Sequence, residues 1–172
     1  DTIARSIASH MSELLGQQII VDNRPGSGGI IGTELVARAP ADGDTWLMGT
    51  IGNMAISPKL YQRIAYDPVR DFEPVSQLAA SAYMLVVNPS VNARSVKELA
   101  ALAKSKAGGF NYASAGSGTG SHLTMELFRS IAGFAAVHVP YKGGTPGLTA
   151  LVAGEVDLMF NGIPSTLPQV RA

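Results

Sequence analysis

The ten residues Ala113 to His122, ASAGSGTGSH, gather the groups best suited to holding an anion without using a charge. Ser114, Ser117, Thr119 and Ser121 supply hydroxyls, while Gly116, Gly118 and Gly120 let a backbone approach a ligand closely. Phe110-Asn111-Tyr112-Ala113 just before them reads as a strand, and Leu123, Leu127 and Ile131 just after recur every four residues, as on a helix. The stretch is therefore a strand-to-helix loop. The first N–H groups of the helix have no intrahelical partners, so the loop is prepared for an anion or a polar ligand. The plainer alternative is a flexible Gly/Ser connection.

Other chemistries fit these residues less well. A dinucleotide fingerprint starting at Gly116 finds Gly118 but meets Ser121 where a third glycine belongs, and no Gly-Lys-Ser/Thr follows. A hydrolase would need Ser117 or Ser121 as nucleophile with His122 as base. Adjacent Ser121 and His122 point in different directions at a helix start, and no Gly-x-Ser-x-Gly elbow is present. Three scattered histidines without cysteine offer no zinc site, and the acidic residues lack calcium-loop spacing. Neither a metal nor another cofactor is expected.

Composition narrows the class further. The chain has 172 residues, 46% apolar and 15% charged, enough for one domain or two small ones with a real core. Thirteen basic residues balance thirteen acidic ones with no basic run, which argues against a nucleic-acid partner. No run approaches the roughly 18 apolar residues of a membrane span, so insertion of this chain into a membrane is not expected.

The elements that must position the loop follow from periodicity and punctuation. Asp1 to Gly16 reads as a helix with Ile3, Ile7, Met11, Leu14 and Leu15 on one face. Ile19-Ile20-Val21 reads as a strand, then a turn-rich loop from Asp22 to Gly29 leads to a helix containing Leu35 and Val36. Thr45 to Met48 reads as another strand, delivering Gly49-Thr50-Ile51-Gly52-Asn53 at its C-terminal end. Open parallel sheets bind ligands at that end, so Thr50, Gly52 and Asn53 are candidates by position; an ordinary helix cap by Asn53 stands beside that reading. Residues 58 to 74 look irregular. Tyr83 to Val87 is a strong strand, after which Asn88-Pro89 marks an expected crossing between domains.

Beyond it, Ser95-Val96-Lys97-Glu98 is a capping box opening a helix that Gly108-Gly109 closes. Ala136 to Val139 is a strand leading into Pro140-Tyr141-Lys142-Gly143-Gly144. Thr145-Pro146 starts a helix ended by Gly154, and Asp157 to Phe160 is a last strand running into Asn161. Alternating strands and helices from Asn111 to Phe160 imply a parallel α/β sheet whose loops emerge on one edge. That arrangement brings Ser117 to Ser121, Tyr141 to Gly144 and Asn161 together. Lys142 adds one cation there, though such a lysine is commonly just solvated, and Tyr141 either walls a pocket or closes the sheet edge.

The stretches VDNRPGSGGIIGTELVARAPADGDTWLMGT, YDPVRDFEPVSQLA, NYASAGSGTGSHLTMELF and VHVPYKGGTPGLTALVAGEVDLMF resemble, in order and over nearly the whole chain, the Bug family of periplasmic solute receptors of tripartite tricarboxylate transporters. The resemblance implies a type II periplasmic binding protein fold of two lobes with parallel-rich sheets, 1–87 and 88–172. The lobes close over a small organic acid and present it to membrane permease subunits. It implies no catalysis, and carboxylate binding through amides, hydroxyls and water. Carried over by position, the second lobe contributes Ser114 to His122, with Tyr141, Lys142, Gly143 and Asn161; the first contributes Thr50, Gly52 and Asn53. Asp1 matches the acidic end of the family's first loop, so the chain reads as an interior fragment incomplete at both termini, with a hinge at Val87-Asn88-Pro89.

Overall fold

A computed structural model of the chain describes residues 1–106 and 108–171; the last residue of the expected second lobe, Ala172, lies outside them. The chain divides into two compact units, Asp1–Ser81 and the remainder from Ala82.

The second unit is built on a four-stranded sheet. Its elements are β1 (Tyr83–Val87), α4 (Val96–Ser105), β2 (Phe110–Ser114), α5 (Gly120–Ala132), β3 (Ala136–Pro140), α6 (Gly144–Ala153), β4 (Leu158–Gly162) and α7 (Ile163–Arg171). The strand order is β1-β4-β2-β3. β2 pairs in parallel with β3 and with β4, while β1 runs antiparallel to β4, with Tyr83 opposite Gly162 and Val87 opposite Leu158. The loops after β2 and β3 and the end of β4 therefore share one edge, as the alternating pattern requires. The antiparallel sense brings the first residue of β1 to that edge as well.

Alternation along the strands sends consecutive residues to opposite faces and gives the sheet two cores. Phe110, Tyr112 and Leu158 pack with Leu99 and Ala103 of α4 and Met125 of α5. Ala113 and Met159 pack with Leu148 and Leu151 of α6. Close seating of α6 needs Gly147, where an added Cβ would lie 3.1 Å from Met159 Cε and 3.4 Å from Ala113 Cβ.

Local signals set the helix limits. The Ser95 hydroxyl accepts from the Glu98 N–H at 3.2 Å, the cap expected of Ser-x-x-Glu, while the Glu98 carboxylate reaches one residue further back than a capping box requires and accepts from the Arg94 N–H at 2.9 Å. α5 and α6 both stop at a left-handed glycine, Gly133 and Gly154. The face expected of α5 is corrected. Leu127 and Ile131 are 61% and 78% exposed, whereas Ser121 and Met125 are buried and Phe128 and Ala132 pack against the core.

The first unit contains α1 (Thr2–Leu15), a short 3-10 turn (Ser27–Gly29), α2 (Ile30–Ala37), a π-helical turn (Gly52–Ile56) and α3 (Ser57–Leu60). Two expectations fail here. Neither 19–21 nor 45–48 forms a strand, because among the described residues nothing pairs with them, and a strand without a ladder partner is only extended chain. Leu14 and Leu15, placed on the buried face of α1 by periodicity, are exposed.

The strand expected to end the first lobe, β1, pairs with β4 in the sheet of the second unit, and the compact units meet between Ser81 and Ala82. The expected hinge residue Asn88 is bonded within the second unit. The Asn88 N–H donates to the Asp157 carbonyl at 2.9 Å, its Nδ2 donates to the Leu151 carbonyl at 2.7 Å, and its Oδ1 accepts from the Ser90 N–H at 2.9 Å.

Candidate ligand-binding edge

The loop after β2 is held in shape by its own hydroxyls and glycines. The Ser121 Oγ accepts from the Ala115 N–H at 2.9 Å and lies 3.0 Å from the Thr119 Oγ1. The Thr119 hydroxyl donates to the Gly116 carbonyl at 2.6 Å, and Ser114 Oγ accepts from the Gly116 N–H at 3.1 Å. Gly116 and Gly118 take φ of 129° and 79°, a region in which side chains are strained. The loop is a fixed scaffold, not slack connection.

Two imidazoles fasten it from the side. His122 Nδ1 accepts the Gly118 N–H at 3.2 Å, which places the proton of the neutral ring on Nε2. His138 Nε2 lies 2.6 Å from Ser114 Oγ. The rings of His122 and His138 stack with centroids 4.1 Å apart, and Tyr112 stacks on His138 at 4.9 Å. Burial pushes both histidines down; for His138, with the neighbouring His122 adding to it, the value falls to about 4. The Tyr112 hydroxyl donates to Glu126, and burial followed by that carboxylate raises the phenol. Arg129 donates to both Glu126 oxygens, at 2.7 and 2.5 Å, and holds that carboxyl down to about 2.

The loop after β3 is zipped to the first one. The Tyr141 N–H donates to the Ser114 carbonyl at 3.0 Å and the Gly143 N–H to the Ala115 carbonyl at 3.2 Å, extending the β2–β3 pairing past both strand ends. Asn161, buried in β4, reaches over the start of α6: a Cβ on Gly144 would fall 2.6 Å from its Oδ1. Its Nδ2 donates to Ser165 Oγ at 3.2 Å. Ser114, Thr119, Gly120, Ser121, His122, Tyr141, Gly143 and Asn161 thus meet on one edge, and Lys142 lies exposed beside them.

That edge carries two uncapped helix starts. Thr119 occupies the N-cap of α5 but its hydroxyl is turned back to Gly116, and Gly143 at the N-cap of α6 has no side chain to offer. The first-turn amides of α5 and α6 are donors their own helices cannot satisfy, with the positive dipole ends behind them. Such an edge can hold a carboxylate with uncharged groups. The Ser121 hydroxyl, one of the candidate nucleophiles, faces Ala115 and Thr119, and the Ser114 hydroxyl beside the His138 imidazole is fully buried.

Sequence reasoning missed Tyr83 at this edge. A Cβ on Gly120, the first residue of α5, would lie 2.2 Å from the Tyr83 Oη and 2.8 Å from its Cζ, so the phenol covers the helix start. The signal was the bare glycine at a position where helices normally tolerate any side chain.

The first-unit candidates are described by themselves. Asn53 is turned inward: its Oδ1 accepts from the Thr50 N–H at 2.7 Å and hydroxyl at 2.9 Å, and its Nδ2 donates to the Thr33 hydroxyl at 2.7 Å. Gly52 is buried with it. The Asp1 carboxylate accepts from Arg5 Nε and from Asn23 Nδ2, each at 2.8 Å.

Comparison with known proteins agrees with this architecture. A protein from Pseudomonas sp. strain P51, named for its place in the tcbD-tcbE intergenic region, is 42% identical over all 172 residues, which make up 51% of its length. The chain spans about half the length of the curated relatives it matches. Among solved structures, R. palustris Rpa4515 with adipate superposes with TM-score 0.94 at 36% identity, over 99% of this chain and 57% of that one. MatC from Rhodopseudomonas palustris with bound malate superposes with TM-score 0.88 at 32% identity, over 99% and 58%. The periplasmic binding protein BugD superposes with TM-score 0.87 at 32% identity, over 99% and 57%. The α/β fold is thus that of part of a periplasmic binding protein. Residues 3–172 match the family described as tripartite tricarboxylate transporter family receptor, and the chain belongs to that family of solute-binding receptors.

Proposed function

We propose that the protein is a periplasmic receptor that holds a small organic carboxylate on neutral donors and delivers it to the permease subunits of a tripartite tricarboxylate-type transporter, without chemical change to the ligand. The observation that carries this reading is the pair of uncapped helix starts, α5 and α6, set side by side by the zipped loops. A carboxylate seated there takes the place of the missing caps and meets the helix dipoles at their positive ends. Adipate and malate in two structural relatives support the ligand class. Ser114 to His122, Tyr141 to Gly143 and Asn161 form the second unit's contribution. Thr50, Gly52, Asn53 and Asp1 are the contribution proposed for the first, through backbone groups in the case of Asn53, since its side chain is already occupied.

The test is titration of the full-length protein with adipate, malate, succinate, butyrate and benzoate, followed by calorimetry and thermal unfolding. At 100 times its Kd a bound acid adds about 2.7 kcal/mol of stability, a clear upward shift in Tm. Absence of heat and of any Tm shift with every acid would sink the receptor reading.

A further inference from the structure

We propose that Tyr83 is a ligand-contacting residue of this receptor, its hydroxyl donating to the carboxylate seated at the start of α5; the inference rests on the receptor reading above.

Topology supplies the first reason. β1 is the antiparallel strand of an otherwise parallel sheet, so its first residue, and not its last, stands at the edge where the loops emerge. Tyr83 is paired with Gly162, the end of β4, and so stands at the level where β4 passes into α7.

Fit supplies the second. The phenol lies over Gly120 so closely that even a methyl group there would collide with Oη, Cζ and Cε2, at 2.2, 2.8 and 3.0 Å. Gly120 is the first residue of α5, and its N–H and those of Ser121 and His122 are the donors the helix leaves over. The same device recurs one helix away, where Asn161 reaches over Gly144. In each case a polar side chain from the sheet takes the space that a side chain at the helix start would fill.

Bonding supplies the third. Among the described residues the Tyr83 hydroxyl has no hydrogen-bond partner, whereas the loop hydroxyls of Ser114, Thr119 and Ser121 are engaged by His138, by the Gly116 carbonyl and by one another. Burial raises the Tyr83 phenol above its ordinary value, so it keeps its proton and acts as a donor at neutral pH. A donor held against a helix start completes the acceptor shell of a carboxylate, whose lone pairs outnumber what two or three amides satisfy.

Tyr83→Phe removes only the hydroxyl and keeps the ring over Gly120. In calorimetric titration of the full-length protein with adipate, malate, succinate, butyrate and benzoate, the expected loss is about 10- to 100-fold in affinity for each acid the wild type binds. The Tm of the ligand-free variant should stay within about 2 °C of wild type. Gly120→Ala, which keeps the hydroxyl but displaces it, should weaken binding as well and decides the matter if Tyr83→Phe does not fold. Wild-type affinity in Tyr83→Phe overturns this inference alone. A wild type that binds none of the five acids overturns the receptor reading and this inference with it.

Discussion

The two units are stabilised by different means. In the second, large apolar side chains from both faces of a sheet make two apolar cores, around Tyr112, Met125 and Leu158 on one side and Met159 and Leu151 on the other. In the first, polar residues share the buried centre with Ala8, Ile30 and Tyr66. Thr33, Asn53 and Ser57 are buried there, Asn53 ties α2 to the π-helical turn, the Tyr66 hydroxyl donates to the Asn53 carbonyl, and the buried Ser57 hydroxyl has no partner among the described residues. The difference teaches where each unit is vulnerable. Area-driven burial is tolerant of direction and fails by cavity formation, whereas a hydrogen-bonded centre tolerates loss of volume and fails when one partner leaves others unpaired.

The largest effect is therefore expected from Leu158→Ala, which opens a cavity in the strand shared by both partners of the sheet. It should cost about 2–5 kcal/mol. Hydrogen exchange should show the loss in amides of β2 and β4 and leave residues 50 to 57 unchanged; a uniform loss across both units would break the distinction. Asn53→Leu is the converse. It keeps the volume but abandons the Thr33 hydroxyl and the Thr50 N–H, at a cost of about 1–3 kcal/mol confined to the first unit. A stabilised first unit would show that its centre is not held by this network.

Acid should act on the second unit with a smaller effect. His138 is depressed to about 4 in the folded state, so the unfolded chain binds the proton first. The stability this provides is complete above the ordinary histidine value of about 6.5 and is lost as pH falls through about 4. Protonated His122 also has no lone pair for the Gly118 N–H, which loosens the loop. The charged neighbours are Glu126, which opposes the depression, and Arg129, which adds to it at His122. Unfolding followed at β2 between pH 7 and pH 4 should be flatter in His138→Gln than in wild type; parallel curves would remove the imidazole stack from the account.

The contrast between the units also explains what could be read in the sequence. From Ser95 to Phe160 strands and helices alternate, and the parallel pairs β2–β3 and β2–β4 form between strands of this region. Local period, the capping box and stop glycines were enough there. The segments 19–21 and 45–48 have strand composition but no partner among the described residues, and composition cannot supply a ladder. Periodicity also chose the wrong stripe on α5. Leu123, Leu127 and Ile131 compete with Met125, Phe128 and Ala132, and only the packing of Ser121 with its neighbours settles which faces inward. The candidate loops were legible because strand ends and glycines mark them. Tyr83 was not, since its place at their edge depends on the antiparallel sense of β1, a property of its partner and not of its own residues.

The neutrality of the loop scaffold bears on how a ligand would arrive. Hydroxyls, amides and helix ends act over a few ångströms and project little field into solvent, and the chain's thirteen positive and thirteen negative side chains leave no net attraction for an anion. Encounter with an acid held in this way is unsteered and nearly indifferent to salt. Under the proposed function, differences among acids would then show in how long each stays, which would also set the rate at which the site empties.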